Sequence, residues 1–300
     1  MNMRQKFVST TNELIESDSK VTLILGGISV ASFEDSIQKY PDRVFNAGIS
    51  EQAIVSVAAG MAVTGMIPII HTIAPFLVER AYEQLKIDFG YQKLGGNFIT
   101  TGASLDYSSF GSTHQCPADV GALKLIPGMQ IVVPGTANEF DTIFRSTYNN
   151  GFPTYIRTSR DQNLQSHNVE FGKAICIREG KEATIVVVGP MLDMVLQAVE
   201  ELDVSVLYYT TVAPFDKETL KNNCLSGKVI LCTPFYIGAL LEDIISALPS
   251  QKLLVHEIGI PMQFVRHYGY TKDHYVAMHL TVDRIESEVK EVIRYGKKKN

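Results

Sequence analysis

Five side chains in this sequence have the type and setting for chemistry: Glu51, Phe76, His114, Arg157 and Arg160. Glu51 stands in Phe45-Asn-Ala-Gly-Ile-Ser-Glu-Gln52, a lone carboxylate at a glycine-marked junction. From Ile54 the chain reads Ile-Val-Ser-Val-Ala-Ala-Gly-Met-Ala-Val, apolar enough for a buried helix. A carboxylate at such a helix start reads two ways. As a structural group it gains about 0.3–1 kcal/mol from the helix dipole. As a tool it hydrogen-bonds a ring nitrogen in a dry site. There burial favours the neutral form and the helix end the anion, so a proton can be shared.

The other four carry the same double reading. Phe76, at a helix start, is either core or a stacking platform for an aromatic heterocycle, worth roughly 0.5–1.5 kcal/mol beyond burial. His114 is a loop histidine, either solvated or hydrogen-bonding a substrate oxygen during proton transfer. Arg157 and Arg160 either seal a linker against the sheet or hold a phosphate, which suits guanidinium geometry.

What positions them is a series of strands alternating with helices. Val21–Leu25, Val44-Phe45, Ile67–Thr72, Asn97–Thr101, Gln130–Pro134 and Pro153–Arg157 read as strands. Helices are expected over residues 3–16, from Glu51 to Gly65, and over Phe76–Phe89, Ala118–Leu125 and Glu139–Tyr148. A polar, glycine-punctuated loop runs from Gly102 to Pro117, long enough to be functional. Alternation implies crossovers and a mostly parallel sheet. In such sheets ligands bind beyond the C-terminal strand ends. Glu51, Ala74-Pro75-Phe76, His114 and the arginines all follow strands.

Asp161–Val169 is polar and aperiodic and reads as a linker between units spanning 1–165 and 166–300. In the second unit, strands are expected over Ala183–Gly189, Val204–Tyr209, Lys228–Cys232 and Lys252–His256. Helices are expected with Met191, Met194, Val195, Ala198 and Val199, and over Gly238–Leu248. A final helix carries Ile285, Val289, Val292 and Ile293 on one face. The fold class is α/β, with two doubly wound domains.

Composition narrows the role. The 300 residues suffice for two domains. A net charge of −5, spread along the chain, lacks the basic face of a nucleic-acid binder. The basic run Lys297-Lys298-Lys299 reads as a solvated tail. Cys116, Cys176, Cys224 and Cys232 show no C-x-x-C spacing, so no zinc knuckle or redox pair is expected, and no metal ligands are assigned to this chain. Scattered cysteines fit a reducing compartment. The start, Met-Asn-Met-Arg-Gln-Lys-Phe, has no apolar run after it, and no stretch of about 18 apolar residues occurs. The expectation is a cytoplasmic protein with no membrane contact.

Gly48-Ile-Ser-Glu-Gln52 resembles the G-I-x-E-Q/H signature of the transketolase group of thiamine-diphosphate enzymes. Phe76-Leu-Val-Glu-Arg-Ala-Tyr-Glu-Gln84 resembles the F-x-x-x-R-A-x-E-Q helix of split transketolases. Gly111-Ser-Thr-His-Gln115 is similar to the substrate loop of transketolases and deoxyxylulose-phosphate synthases. Ser159-Arg-Asp-Gln-Asn-Leu164 resembles that group's S-R-Q-N-L end, with Asp161 as an extra residue. Val212-Ala-Pro-Phe-Asp216 resembles T-x-K-P-L-D more loosely.

The resemblance implies a pyrimidine-binding domain followed by a transketolase C-terminal-like domain. It implies Glu51 and Phe76 on the cofactor's aminopyrimidine, Glu51 and His114 in catalysis, and His114, Arg157 and Arg160 on a sugar-type substrate. Arg80 is assigned to an interface, and Tyr82 and Gln84 to structure. The group binds Mg²⁺ and the diphosphate through a Gly-Asp-Gly…Asn motif in an N-terminal domain, and this sequence has no Gly-Asp-Gly. A half-enzyme is therefore implied: a C-terminal subunit transferring a two-carbon ketol unit with a separate N-terminal subunit, homodimerising within a heterotetramer. The alternatives are the β subunit of a 2-oxo acid dehydrogenase decarboxylase and a non-catalytic stabilising subunit. Three departures favour an unusual substrate or a lost activity. Phe110 replaces the aspartate before the loop glycine, Gly26-Gly27 replaces an acid after the first strand, and Thr233-Pro234-Phe235 replaces a glutamate in the second unit.

Overall fold

The computed structural model describes residues 1–295; the Lys297–Lys299 run lies outside them. The chain begins with α1 (Met3–Ser17), whose start is closed by a reciprocal Asn2–Gln5 capping box. There follow β1 (Val21–Leu25), α2 (Glu34–Lys39), β2 (Val44–Asn46), α3 (Glu51–Val63) and β3 (Ile67–Ile73). A wide π-helical turn over Phe76–Arg80 leads into the short α4 (Tyr82–Gln84) and a second π segment over Leu85–Tyr91. The first unit continues with β4 (Gly96–Thr101), α5 (Asp119–Leu123), β5 (Gln130–Val132), α6 (Ala137–Thr147) and β6 (Pro153–Arg157). After the linker come β7 (Ala174–Arg178), β8 (Ala183–Val188), α7 (Leu192–Ala198), β9 (Val204–Tyr209), β10 (Thr211–Ala213) and α8 (Lys217–Asn223). The last elements are β11 (Lys228–Tyr236), α9 (Leu241–Ala247), β12 (Leu254–Ile260), α10 (Thr271–Ala277) and α11 (Val282–Arg294).

Two sheets organise these elements. The first runs β10-β5-β6-β4-β3-β1-β2, parallel except for β10. The second runs β12-β11-β8-β9-β7, parallel except for β7. Strands β1, β8 and β9 are buried at every position, as helix-covered parallel strands must be. Two apolar clusters form the core, and each draws side chains from both sheets. Among the described residues no helix is long and apolar enough to cross a membrane.

Several elements differ from the sequence reading. The expected continuous helix over Phe76–Phe89 widens into π turns. Its buried residues Leu77, Ala81, Leu85 and Phe89 recur every four positions, longer than the α repeat, and wider turns keep them on one face. Strand β11 runs on past Cys232, with a register irregularity that accommodates Pro234. Strand β12 lies later than expected, at Leu254–Ile260 rather than Lys252–His256. Strand β10, only three residues long and overlapping the start of the Val212–Asp216 motif, leaves the second half of the chain to pair with β5.

Candidate active site

The first sheet changes direction between β1 and β3: from β1 the chain adds β2 on one side and β3 on the other. Such a switch point opens a crevice beyond the C-terminal strand ends. The Gly26-Gly27 turn after β1, the Ala74-Pro75 turn after β3 and the start of α3 after β2 converge there. Gly26 is required by this convergence. A β-carbon on it would lie 2.7 Å from Thr72 Cβ, inside any van der Waals contact. Gly48 turns the chain into α3 with a left-handed φ of 73°.

Glu51 is the first residue of α3 and is wholly buried. Its Oε1 accepts a hydrogen bond from Thr72 Oγ1 at 3.3 Å. Its Oε2 accepts one from Arg80 Nη1 at 2.7 Å. The Arg80 guanidinium also lies over the Phe76 ring, with Cζ 4.2 Å from the centroid. The π turn explains this overlay, because residues 76 and 80 begin and end a single wide turn. Phe76 in turn meets the His114 imidazole edge to face, at 5.1 Å between centroids.

His114 is carried by the Gly102–Pro117 loop, which is closed by an antiparallel bridge between Ser104 and Cys116. Thr113 Oγ1 lies 2.9 Å from its Nδ1. The imidazole also packs against Phe110, 4.9 Å away. Phe110 meets Tyr107, and the Arg160 guanidinium lies 4.8 Å over the Tyr107 ring. Glu51, Arg80, Phe76, His114, Phe110, Tyr107 and Arg160 thus form one unbroken chain of contacts. Second-unit residues wall the loop: Ser112 Oγ donates to the Val265 carbonyl at 2.7 Å. A cavity of about 400 Å³ lies beside it, lined by Glu79, Gln115, Tyr236 and Phe264 among others. Burial raises the Glu79 carboxyl above its ordinary value there.

The two candidate arginines part company. Arg160 is exposed, and its backbone N–H donates to Asp106 Oδ2 at 2.9 Å. Arg157 has no exposed surface. Its Nε donates to Asp119 Oδ2 at 2.6 Å, and its Nη2 donates to Ser104 Oγ at 2.5 Å and to the Pro234 carbonyl at 3.0 Å. It joins the two sheets and offers no face to a ligand arriving from solvent. Arg80, expected at an interface, reaches into the cluster with its guanidinium while its side chain stays 39% exposed. The signal was its place four residues after Phe76. Thr72 and Asp106 went unmarked in the sequence, since a buried strand threonine and a loop aspartate carry no motif. Asp106 is nevertheless unusual, because burial pushes its carboxyl up to about 7.

A buried carboxylate beside an aromatic face is a donor set for a flat, nitrogen-bearing ring. Here the planar Arg80 guanidinium occupies that position, over the Phe76 ring and donating N–H to Glu51. Among the described residues no group of three or more His, Cys, Asp or Glu side chains is arranged to hold a metal ion.

Residues 1–165 match the family model for the transketolase pyrimidine binding domain, and residues 172–285 that for the transketolase C-terminal domain. An uncharacterized 33.6 kDa protein in the fasciation locus of Rhodococcoides fascians is 33% identical over 280 residues, 91% of this chain and 89% of that protein. An apulose-4-phosphate transketolase subunit of Actinobacillus succinogenes is 27% identical over 258 residues, covering 81% of this chain and 82% of its own length. Among solved structures, a split-gene transketolase described as an inactive beta4 tetramer superposes with a TM-score of 0.87 at 26% identity, over 98% of each chain.

Proposed function

Because the chain belongs to the transketolase family, we propose that it is the C-terminal subunit of a split, thiamine-diphosphate-dependent transketolase. Its buried Glu51 beside the Phe76 face is the observation that carries this reading. When bound, thiamine diphosphate supplies the carbon nucleophile and electron sink for breaking and remaking the bond next to a ketone carbonyl. Glu51, itself buried, would hold a proton at the aminopyrimidine ring nitrogen. Phe76 stacks on the ring and fixes its plane. His114, on the loop above Phe76, hydrogen-bonds the substrate oxygen whose proton moves. Arg160, exposed at the far end of the cluster, takes the substrate phosphate, while Arg157 serves the scaffold. Unit boundaries at 1–165 and 166–300 put every one of these groups on the first unit.

Mg²⁺ and the diphosphate are assigned to a separate N-terminal subunit, with two copies of this chain in a heterotetramer. The near-equal lengths shared with a relative named as a subunit support this. The substrate class is a sugar ketose donating two carbons to an aldehyde. Thiamine diphosphate titrated into the chain with its partner subunit should give a saturable near-ultraviolet circular-dichroism change. The complex should cleave a ketose phosphate and should not decarboxylate pyruvate. A flat titration removes the cofactor assignment, and pyruvate decarboxylation would move the protein to the 2-oxo acid dehydrogenase side.

A further inference from the structure

We propose that Arg80 is a displaceable placeholder for the cofactor ring, so that ring binding is an exchange rather than a simple filling of space. The inference rests on the cofactor reading above. Both contacts that an aminopyrimidine would use are already made within the chain. Arg80 Nη1 donates to the Glu51 carboxylate at 2.7 Å, and the guanidinium lies 4.2 Å over Phe76. A guanidinium suits this place because it is flat, stacks on aromatic faces and donates in its own plane.

The two partners are not equally fixed. The Glu51 side chain is 1% exposed, whereas that of Arg80 is 39% exposed. Glu51 is anchored at a helix start and by Thr72. Arg80 sits at the end of a π turn with open solvent beside it. It is therefore the group that can leave, swinging its long side chain outward while the ring takes over the carboxylate and the phenyl face. In the free chain Arg80 compensates the buried carboxylate, which would otherwise have one neutral hydroxyl for company. Arg80 is thus a positioning residue that sets the threshold for ring binding.

The test has two arms on the full chain. In the cofactor-free chain, Arg80→Ala should lower the melting temperature, and the same substitution in a Glu51→Gln background should not. An equal drop in both backgrounds overturns the proposal, because Arg80 would then act through something other than Glu51. In the complex with the partner subunit, thiamine diphosphate binding is followed by circular dichroism. Arg80→Ala should bind roughly tenfold tighter or more and associate faster, since no charge-assisted contact has to be broken first. Arg80→Lys, a cation that cannot lie flat on Phe76, should fall between. Unchanged or weaker binding by Arg80→Ala overturns the placeholder while leaving the cofactor assignment intact. Absence of saturable binding in every variant removes that assignment and the placeholder with it.

Discussion

Arg157 and Asp119 form an ion pair at 2.6 Å in which neither side chain has any exposed surface. Tyr155 Oη adds a second donor to the same Asp119 oxygen at 2.8 Å, and Nη2 of the guanidinium donates to the Pro234 carbonyl of β11. An arginine at a strand end, which the sequence left as either a phosphate ligand or a seal against the sheet, here bridges the two sheets.

Breaking that pair from one side strands a buried charge. Asp119→Ala should cost about 3–5 kcal/mol of unfolding free energy in urea titrations. The paired replacement Asp119→Leu with Arg157→Met should cost much less, because it buries no orphan charge. Equal losses for the two would show that the pair is solvated.

Glu51→Gln should fold normally, because Arg80 is free to turn into solvent. Turnover in the reconstituted complex should fall by about 10²–10⁴-fold, the usual range for losing a positioned proton carrier. Far-ultraviolet circular dichroism checks the fold and steady-state kinetics the rest. Turnover close to that of the unaltered complex would take Glu51 out of the mechanism.

Phe76→Ala removes the face on which a ring would lie. Stacking worth roughly 0.5–1.5 kcal/mol corresponds to a thiamine diphosphate dissociation constant about 2- to 10-fold higher. Phe76→Tyr keeps the face and should keep the affinity. Equilibrium titration distinguishes the two variants.

Two buried groups should give stability opposite pH slopes. Burial pushes the Asp106 carboxyl up to about 7, so its contribution is complete below its ordinary value near 4 and is lost as pH rises through 7. Burial drives His71 down to about 3, with Nδ1–H donating to the Ile99 carbonyl and Nε2 facing the Ser29 hydroxyl. Its contribution is complete above about 6.5 and fades as pH falls toward 3. Between pH 4 and 6.5 the two largely offset each other. Asp106→Asn should unmask the His71 slope, with stability rising across that window and gaining up to about 4 kcal/mol over the parent at pH 8. Denaturation midpoints at pH 4, 6 and 8 would reveal it, and parallel curves for variant and parent would contradict it.

Much of the scaffold was legible because its physics is local. β-branched runs such as Val21–Leu25 and Val204–Tyr209 have the bounds their composition announces. Glu51, Phe76, His114 and Arg160 could be grouped because each follows a strand that ends on the same side of one sheet. What stayed hidden depends on contacts remote in sequence. Arg80 meets Glu51 across 29 positions, and Arg157 meets Pro234 across 77. A guanidinium shows no preference among distant acceptors until packing chooses one. Strand β7 was passed over because its alternating Ile175 and Ile177 are only half-buried at a sheet edge.

Strand β10 ties the fate of one half of the chain to the other. Severing the polypeptide after residue 165 would strip β5 of its outer neighbour and leave a row of unsatisfied amides and carbonyls, an invitation to intermolecular sheet growth. The halves should therefore melt in a single step, and the first half made alone should precipitate, however self-sufficient its motifs look on paper.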